Sequence, residues 1–307
     1  MTTALSRIKA LADETRVRLM HVLNRFELSV NELVAILEMG QSRVSRHLKI
    51  LTSAGLLDSR RDGLWVFYSA PQEGPGRAFI DAVIPFIAED PALAADVDMA
   101  EKIIEERARK TKQFFNSIAE DWDRLNRDVI GEFDLPGAII DHMPRCKVAL
   151  DLGCGTGSLL ERMLEKALTV IGVDGSPRML ELARRRLSER ADQVSLRIGE
   201  LEHLPLRDGE ADFAAVSMVL HHLSHPGEAL KEIRRVLRPG GLLALADFDR
   251  HENEKMRSDY GDRWLGFDMT TLAITLSEAG FSLSSSTVHP VERGLSIHLV
   301  IAKNTQP

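Results

Sequence analysis

Apolar residues at Leu5, Ile8, Leu11 and Ala12, then at Val17, Leu19, Met20, Val22 and Leu23, recur at the spacing of one helical face. Asp13 stands between the two runs and suits the N-cap of the second, since its carboxylate can accept from free first-turn N–H groups. Leu33, Ile36 and Leu37 predict a short helix ended by Gly40. The next helix starts at Ser42 and runs to about Ala54, where Gly55 closes it. Two short strands follow at 56–60 and 64–69, around Asp62-Gly63, a pair that favours a tight hairpin turn.

The stretch PQEGPGR at 71–77 breaks the pattern, and helices are expected at 77–89 and 91–128, with Pro91 suited to open the second. Its segment EKIIEERARKTK is either a solvated spacer or a dimerising helix. From Cys146 onward the rhythm is strand, glycine loop, helix, strand. KVALDL, LTVIGVD, VSLRIGE, FAAVSMV and LLALADF are β-rich runs separated by helical stretches, which predicts a parallel, doubly wound α/β sheet. FSLSSSTVHP and SIHLVIAK add two strands at one edge.

Composition narrows the class. The 307 residues, 44% hydrophobic and 28% charged, suit two ordinary globular domains. No apolar run reaches the roughly 18–20 residues of a membrane span and no signal peptide opens the chain, so a cytoplasmic protein is expected. Cys146 and Cys154 are too few for a disulfide framework, and Cys154 reads as a small buried residue in a glycine turn. The net charge of −7 is uneven: residues 1–70 hold ten basic and seven acidic side chains, the other 237 hold 29 and 39. A basic head on an acidic body fits a protein that offers one end to nucleic acid.

Within 27–57, Leu33, Ile36 and Leu37 can pack against Val44, Leu48 and Leu51. That leaves Gln41, Ser42, Arg43, Ser45, Arg46 and Lys49, with His47 counted beside them, for base edges and phosphates. Arg60 and Arg61 would sit on a wing. Residues 5–69, with ALADETRVRLMHVL and the Ser-x-x-Ser-Arg-His-Leu-x-x-Leu core, resemble the ArsR family of winged-helix repressors. The resemblance implies a homodimer on double-stranded DNA with an approximately palindromic operator. The family's metal sensors carry two cysteines where this chain has Ser29 and Asn31, which cannot replace thiolates for soft metals. No metal is expected.

ALDLGCGTGSLLERML at 149–164 reads as strand, glycine turn and helix, with Gly153, Gly155 and Gly157 letting backbone approach a ligand. Asp174 closes the second strand, where a carboxylate can grip a ribose diol. Ser158 replaces the last glycine of a dinucleotide fingerprint, and Asp151 would repel a pyrophosphate but suits an ammonium and a nearby sulfonium. An adenosyl-amino-acid ligand is therefore favoured over NAD. Residues 112–303, through LDLGCGTG, GVDGSPRMLELAR, the HHL segment and LRPGGLLALADF, resemble class I S-adenosylmethionine-dependent methyltransferases. The resemblance implies that Asp151, Gly153 and Gly155 hold the methionine part and Asp174 the ribose. Gly175, Met179, Glu200 and Leu201 would flank the adenine, and Ser217 would line the floor. Trp122, with Phe114 and Phe115, would cover the ligand; for the two phenylalanines plain core packing is an equal reading.

His221 and His222 follow the fourth strand, where a general base can sit or where a common packing feature of this group occurs. The polar, aromatic segment 250–267 is an acceptor pocket, a lid or a dimer contact. The expected organisation is a winged helix-turn-helix over 1–72, a helical linker or dimerisation region over 73–128, and a Rossmann-like methyltransferase fold over 129–307. The combination resembles bacterial fused regulators that respond to S-adenosylhomocysteine and control methionine and S-adenosylmethionine recycling. Three functions follow: an adenosyl-responsive regulator, read as a repressor; an active methyltransferase that regulates its own operon; or a methyltransferase with a winged interaction module.

Overall fold

A computed structural model describes residues 3–87 and 90–305, and the chain divides into two compact units between Ala108 and Arg109. The first holds α1 (Thr3–Leu11), α2 (Glu14–Leu23), β1 (Leu28–Ser29), α3 (Val30–Leu37), α4 (Gln41–Ser53), β2 (Asp58–Asp62), β3 (Trp65–Ser69) and α5 (Gly74–Ile87). The long helix α6 (Pro91–Ile118) contributes to both units, because the division falls inside it. Asp13 caps α2 by accepting from the Arg16 N–H at 3.1 Å. Leu33, Val44, Leu48 and Leu51 are fully buried, so the two helical faces expected to meet do form the core.

Three details differ from the sequence reading. Gly40 does not end α3; Glu38 does, in a left-handed conformation at φ 52°, while Gly40 precedes α4 in extended backbone. Leu56 and Leu57 are core residues, so β2 starts at Asp58. The hairpin register pairs Asp62 with Trp65, which makes Gly63-Leu64 the turn. Asp62 is instead buried in the ladder beside Arg60. Strand β1 completes a sheet of order β1-β3-β2. There Ser29 caps α3: Glu32 N–H donates to its hydroxyl, and the Glu32 carboxylate accepts from the Ser29 N–H at 2.8 Å.

The second unit contains α7 (Trp122–Ile130), α8 (Leu135–His142), β4 (Cys146–Leu152), α9 (Ser158–Met163), β5 (Ala167–Asp174), α10 (Pro177–Arg186), β6 (Val194–Ile198), β7 (Ala211–Ser217), α11 (Pro226–Val236), β8 (Leu237–Phe248), α12 (Lys255–Tyr260), α13 (Met269–Glu278), β9 (Phe281–Pro290) and β10 (Ser296–Asn304). The helix expected over 91–128 breaks after Ile118 at a 3-10 turn, which resets the chain so that α7 begins at Trp122.

Seven strands form one sheet in the order β6-β5-β4-β7-β8-β10-β9. The strands from β6 to β8 are parallel, and β10 is antiparallel to both neighbours, so the doubly wound expectation and its two late edge strands hold. Alternation along the central strands feeds a core on each face: Ala149, Phe213 and Ala215 join one, Leu150, Ala214 and Val216 the other. Strand order reverses between β4 and β7, and the crevice beyond their carboxyl ends is where ligands of such sheets bind. Among the described residues no helix is long and apolar enough to cross a membrane.

Candidate functional site

Asp151 lies at the end of β4, buried against the sheet. Burial and the neighbouring Asp174 push its carboxyl up to about 8. Such a group gains from an incoming ammonium. The chain then turns through Gly153 and Gly155 at φ +77° and +50°. A Cβ on Gly153 would stand 2.4 Å from Val219 Cγ2, and one on Gly155 would stand 3.3 Å from Trp122 Nε1. The loop backbone is therefore bare where it meets the crevice. Gly157 serves helix packing instead, since a Cβ there would press on Ala183 and Leu187 beside α10.

Asp174 ends β5 and accepts from the N–H groups of Gly155 and Ser176, both at 2.8 Å. Burial raises its pKa despite these bonds, and Glu200 adds to the rise. Ser176 caps α10 by accepting from Met179 N–H and donates to Asn116 at 2.7 Å. Glu200 is exposed, with Gly175 close to its carboxylate, while Met179 and Leu201 are buried. A buried carboxylate, bare backbone and a second carboxylate at the next strand end fit an adenosyl amino acid. Bound there, the methionine part would meet Asp151 and the ribose Asp174. Burial holds the Cys154 thiol well above its ordinary range, in keeping with an inert residue.

Across the switch point, Ser217 ends β7 and Met218 follows at φ +57°. Trp122, Met218, His221, His222, Tyr260 and Asp262 are among the residues that line a cleft of ≈ 320 Å³, partly open to solvent. Segment 250–267 thus supplies cleft wall. Phe115 packs edge-on against both Trp122 and His222. Phe114 borders Gly261.

The two histidines are unlike. His221 Nδ1 lies 2.7 Å from Asp247 Oδ1 and its Nε2 lies 3.6 Å from Asp262 Oδ1. Burial alone would lower its pKa, but Asp247 and Asp262 outweigh that and raise it to about 9. Burial and the His221 imidazole hold His222 well below its ordinary value. His222, not His221, is the neutral ring near pH 7, and its lowered pKa makes it a weak base. Sequence reasoning weighed the two alike, and missed Asp247 and Asp262. It also missed the Thr156–Asp123–Arg186 cluster beside the glycine loop. Where it expected no metal-ligating group, His221, His222 and Asp262 come together.

In the first unit, Gln41, Ser42, Arg43, Ser45, Arg46 and Lys49 are exposed along α4. Arg61 is exposed on the hairpin. Two expected DNA contacts are corrected. His47 is buried, with Nδ1 3.7 Å from Asp13, because it follows Val44 by three residues on the core face. Arg60 makes two 3.1 Å hydrogen bonds to the Glu27 carboxylate and stacks over Phe67, so its guanidinium is engaged within the protein.

A family profile described as a methyltransferase domain matches residues 150–245, and one for bacterial regulatory proteins of the arsR family matches 13–59. A demethylmenaquinone methyltransferase of Symbiobacterium thermophilum is 30% identical over 183 residues, covering 53% of this chain and 68% of that protein. An uncharacterised methyltransferase of Mycobacterium tuberculosis is 42% identical over 103 residues, 34% of this chain and 40% of its own. The chain spans 33% to 58% of the length of this and other curated relatives. A methyltransferase solved with the Haloferax volcanii Trm112 activator shares the fold at TM-score 0.55 and 19% identity, covering 62% of this chain and 98% of that one.

Proposed function

The chain belongs to the class I S-adenosylmethionine-dependent methyltransferase family and carries an ArsR-family helix-turn-helix, and from that premise we propose an adenosyl-responsive DNA-binding regulator. In this reading a homodimer represses from an approximately palindromic operator, in the cytoplasm, until S-adenosylhomocysteine or S-adenosylmethionine changes its grip. Methionine-cycle genes are the natural targets. The observation that carries it is the exposed polar and basic row of α4, held outward by buried Val44, Leu48 and Leu51, on the same chain as an adenosyl site. Helix α6 runs through both units and is the element whose state would couple them. Coupling requires that the ligand favour one conformation over the other.

The test is fluorescence anisotropy on the protein's own upstream DNA at fixed salt, titrated with each adenosyl ligand separately. A shift of about tenfold, about 1.4 kcal/mol of coupling, supports the regulator and names its effector. Tight DNA binding that neither ligand alters rejects it.

One observation favours a second reading, an active methyltransferase with an autoregulatory domain. The cleft is lined by His222, a neutral imidazole, together with Trp122, which borders the glycine loop. The Symbiobacterium relative is named a demethylmenaquinone methyltransferase, so a quinone or its hydroxylated aromatic form is the first acceptor class to try. Transfer of label from S-adenosylmethionine into cell extract, lost in His222→Gln, would support it.

A further inference from the structure

The cleft carries more ligating chemistry than either reading uses. His221, His222 and Asp262 each offer an atom within 4.8 Å of the other two. Both imidazoles are held from behind: His221 Nδ1 by Asp247 at 2.7 Å, His222 Nδ1 by the Gly261 carbonyl at 3.2 Å. With Nδ1 engaged, Nε2 is the nitrogen left to a ligand on each ring. Asp262 completes the set. Its side chain is 1% exposed, it lines the cleft, and neither carboxylate oxygen has a hydrogen bond. The loop is tied to the pair, since the Arg263 and Trp264 N–H groups both donate to the His221 carbonyl.

We propose that His221, His222 and Asp262 form a binding site for a divalent transition-metal ion. Two imidazoles and one carboxylate are a three-ligand set that leaves coordination positions open, here toward the cleft. Ligating histidines held at their second nitrogen by a carboxylate or carbonyl are the usual supporting arrangement. Ligands about 2.1 Å from a tetrahedral ion stand about 3.4 Å apart. The 3.6 Å between His221 Nε2 and Asp262 Oδ1 is already close to that. An imidazolium shared by Asp247 and Asp262 does not suffice, because it leaves Asp262 without a hydrogen bond. Arg257 acts on Asp262 electrostatically, yet it pairs with Glu254 and donates to the Arg263 carbonyl. On binding, any proton on His221 Nε2 passes to solvent while Nδ1–H stays with Asp247.

The site does not rest on the regulator reading, and its test reads metal directly; with a metal on Nε2, His222 is a ligand and not a base. Full-length protein stripped with chelator is titrated with Co(II), followed by its visible d–d absorption, and with Zn(II) by competition. One Co(II) per chain is expected. His222→Gln and Asp262→Asn should each weaken binding about a hundredfold or more, and Asp247→Asn about 10- to 100-fold. Thermal melts of the metal-free variants check folding, and the half-buried His222 position serves if Asp262→Asn does not fold. No binding at micromolar Co(II), or binding unchanged in His222→Gln, overturns the site and assigns any residual cobalt to other histidines.

Discussion

The Asp123 carboxylate, in the first turn of α7, accepts the Thr156 hydroxyl of the glycine loop at 2.6 Å. Arg186 of α10 joins them, pairing with Asp123 and donating to the Thr156 hydroxyl and carbonyl at 2.9 and 3.1 Å. Three elements are thus fastened at one point, directly beside Trp122. The indole of Trp122 borders Gly155 and packs edge-on against Phe115.

Asp123→Ala removes two of the clamp's contacts, to the Thr156 hydroxyl and the Arg186 guanidinium, and leaves Arg186 bonded to Thr156. Charged hydrogen bonds of this kind contribute about 1.5 kcal/mol, so S-adenosylhomocysteine affinity should fall about tenfold. Isothermal titration calorimetry reads the change. An unaltered Kd in a folded variant would show that α7 takes no part in holding the ligand.

A pH dependence follows from Asp151. Its folded pKa of about 8 lies above that of an unfolded carboxyl near about 4, so folding favours the protonated form. Its contribution to stability is full below about pH 4 and is lost as pH rises toward about 8. A ligand ammonium favours the carboxylate and pulls the pKa down. Adenosyl affinity should therefore climb from about pH 6 to 8, by up to about tenfold per unit, with proton release near neutrality. Calorimetry in buffers of different ionisation enthalpy measures that release, and Asp151→Asn should abolish it. Flat affinity across the range would remove Asp151 from the site.

The helix-turn-helix separates three basic positions that look alike in sequence. Arg46→Ala should weaken DNA binding about 5- to 150-fold, the effect of about 1–3 kcal/mol, without lowering stability. His47→Ala should do the reverse and destabilise by about 1–3 kcal/mol, because the imidazole is in the core. Arg60→Ala should cost about 1 kcal/mol through loss of the Glu27 pair, with a smaller DNA effect than Arg46→Ala. Anisotropy and urea denaturation on the same samples separate the outcomes. A His47 variant of normal stability that no longer binds DNA would put that ring back in the groove.

Legibility in the sequence follows the range of the determinant. The glycine loop, Asp174 and the strand–helix alternation are readable because each rests on a short contiguous pattern. His47 is readable too: Val44, His47, Leu48 and Leu51 share one helical stripe, and the polarity of imidazole obscures the spacing. The left-handed turn at Glu38 misleads because a glycine stands two residues later. Arg60 and His221 are a different matter. Their partners Glu27, Asp247 and Asp262 come from other elements, and pairing across such distances is decided by sheet register and loop docking.

Gly153 tests whether bare backbone at the crevice is a steric or a conformational requirement. A methyl group there meets Val219 Cγ2 at 2.4 Å, and the φ of +77° disfavours any L side chain. Gly153→Ala should therefore cost the overpacking term of about 1–3 kcal/mol plus about 1–2 kcal/mol for the left-handed backbone. Val219→Ala alone leaves a small void at a half-buried position. In the double variant the contacts with the two Val219 methyl groups are gone, but a 3.2 Å contact with the residue-219 Cβ and the backbone strain stay, so stability should recover only in part. The double-mutant cycle, read by urea denaturation, should give a favourable coupling of about 1–3 kcal/mol. Adenosyl affinity should stay low in the double variant, since the loop cannot resume its left-handed turn without cost. Full recovery of both stability and affinity would mean that room beside Val219, and not the handedness of the turn, is what glycine supplies.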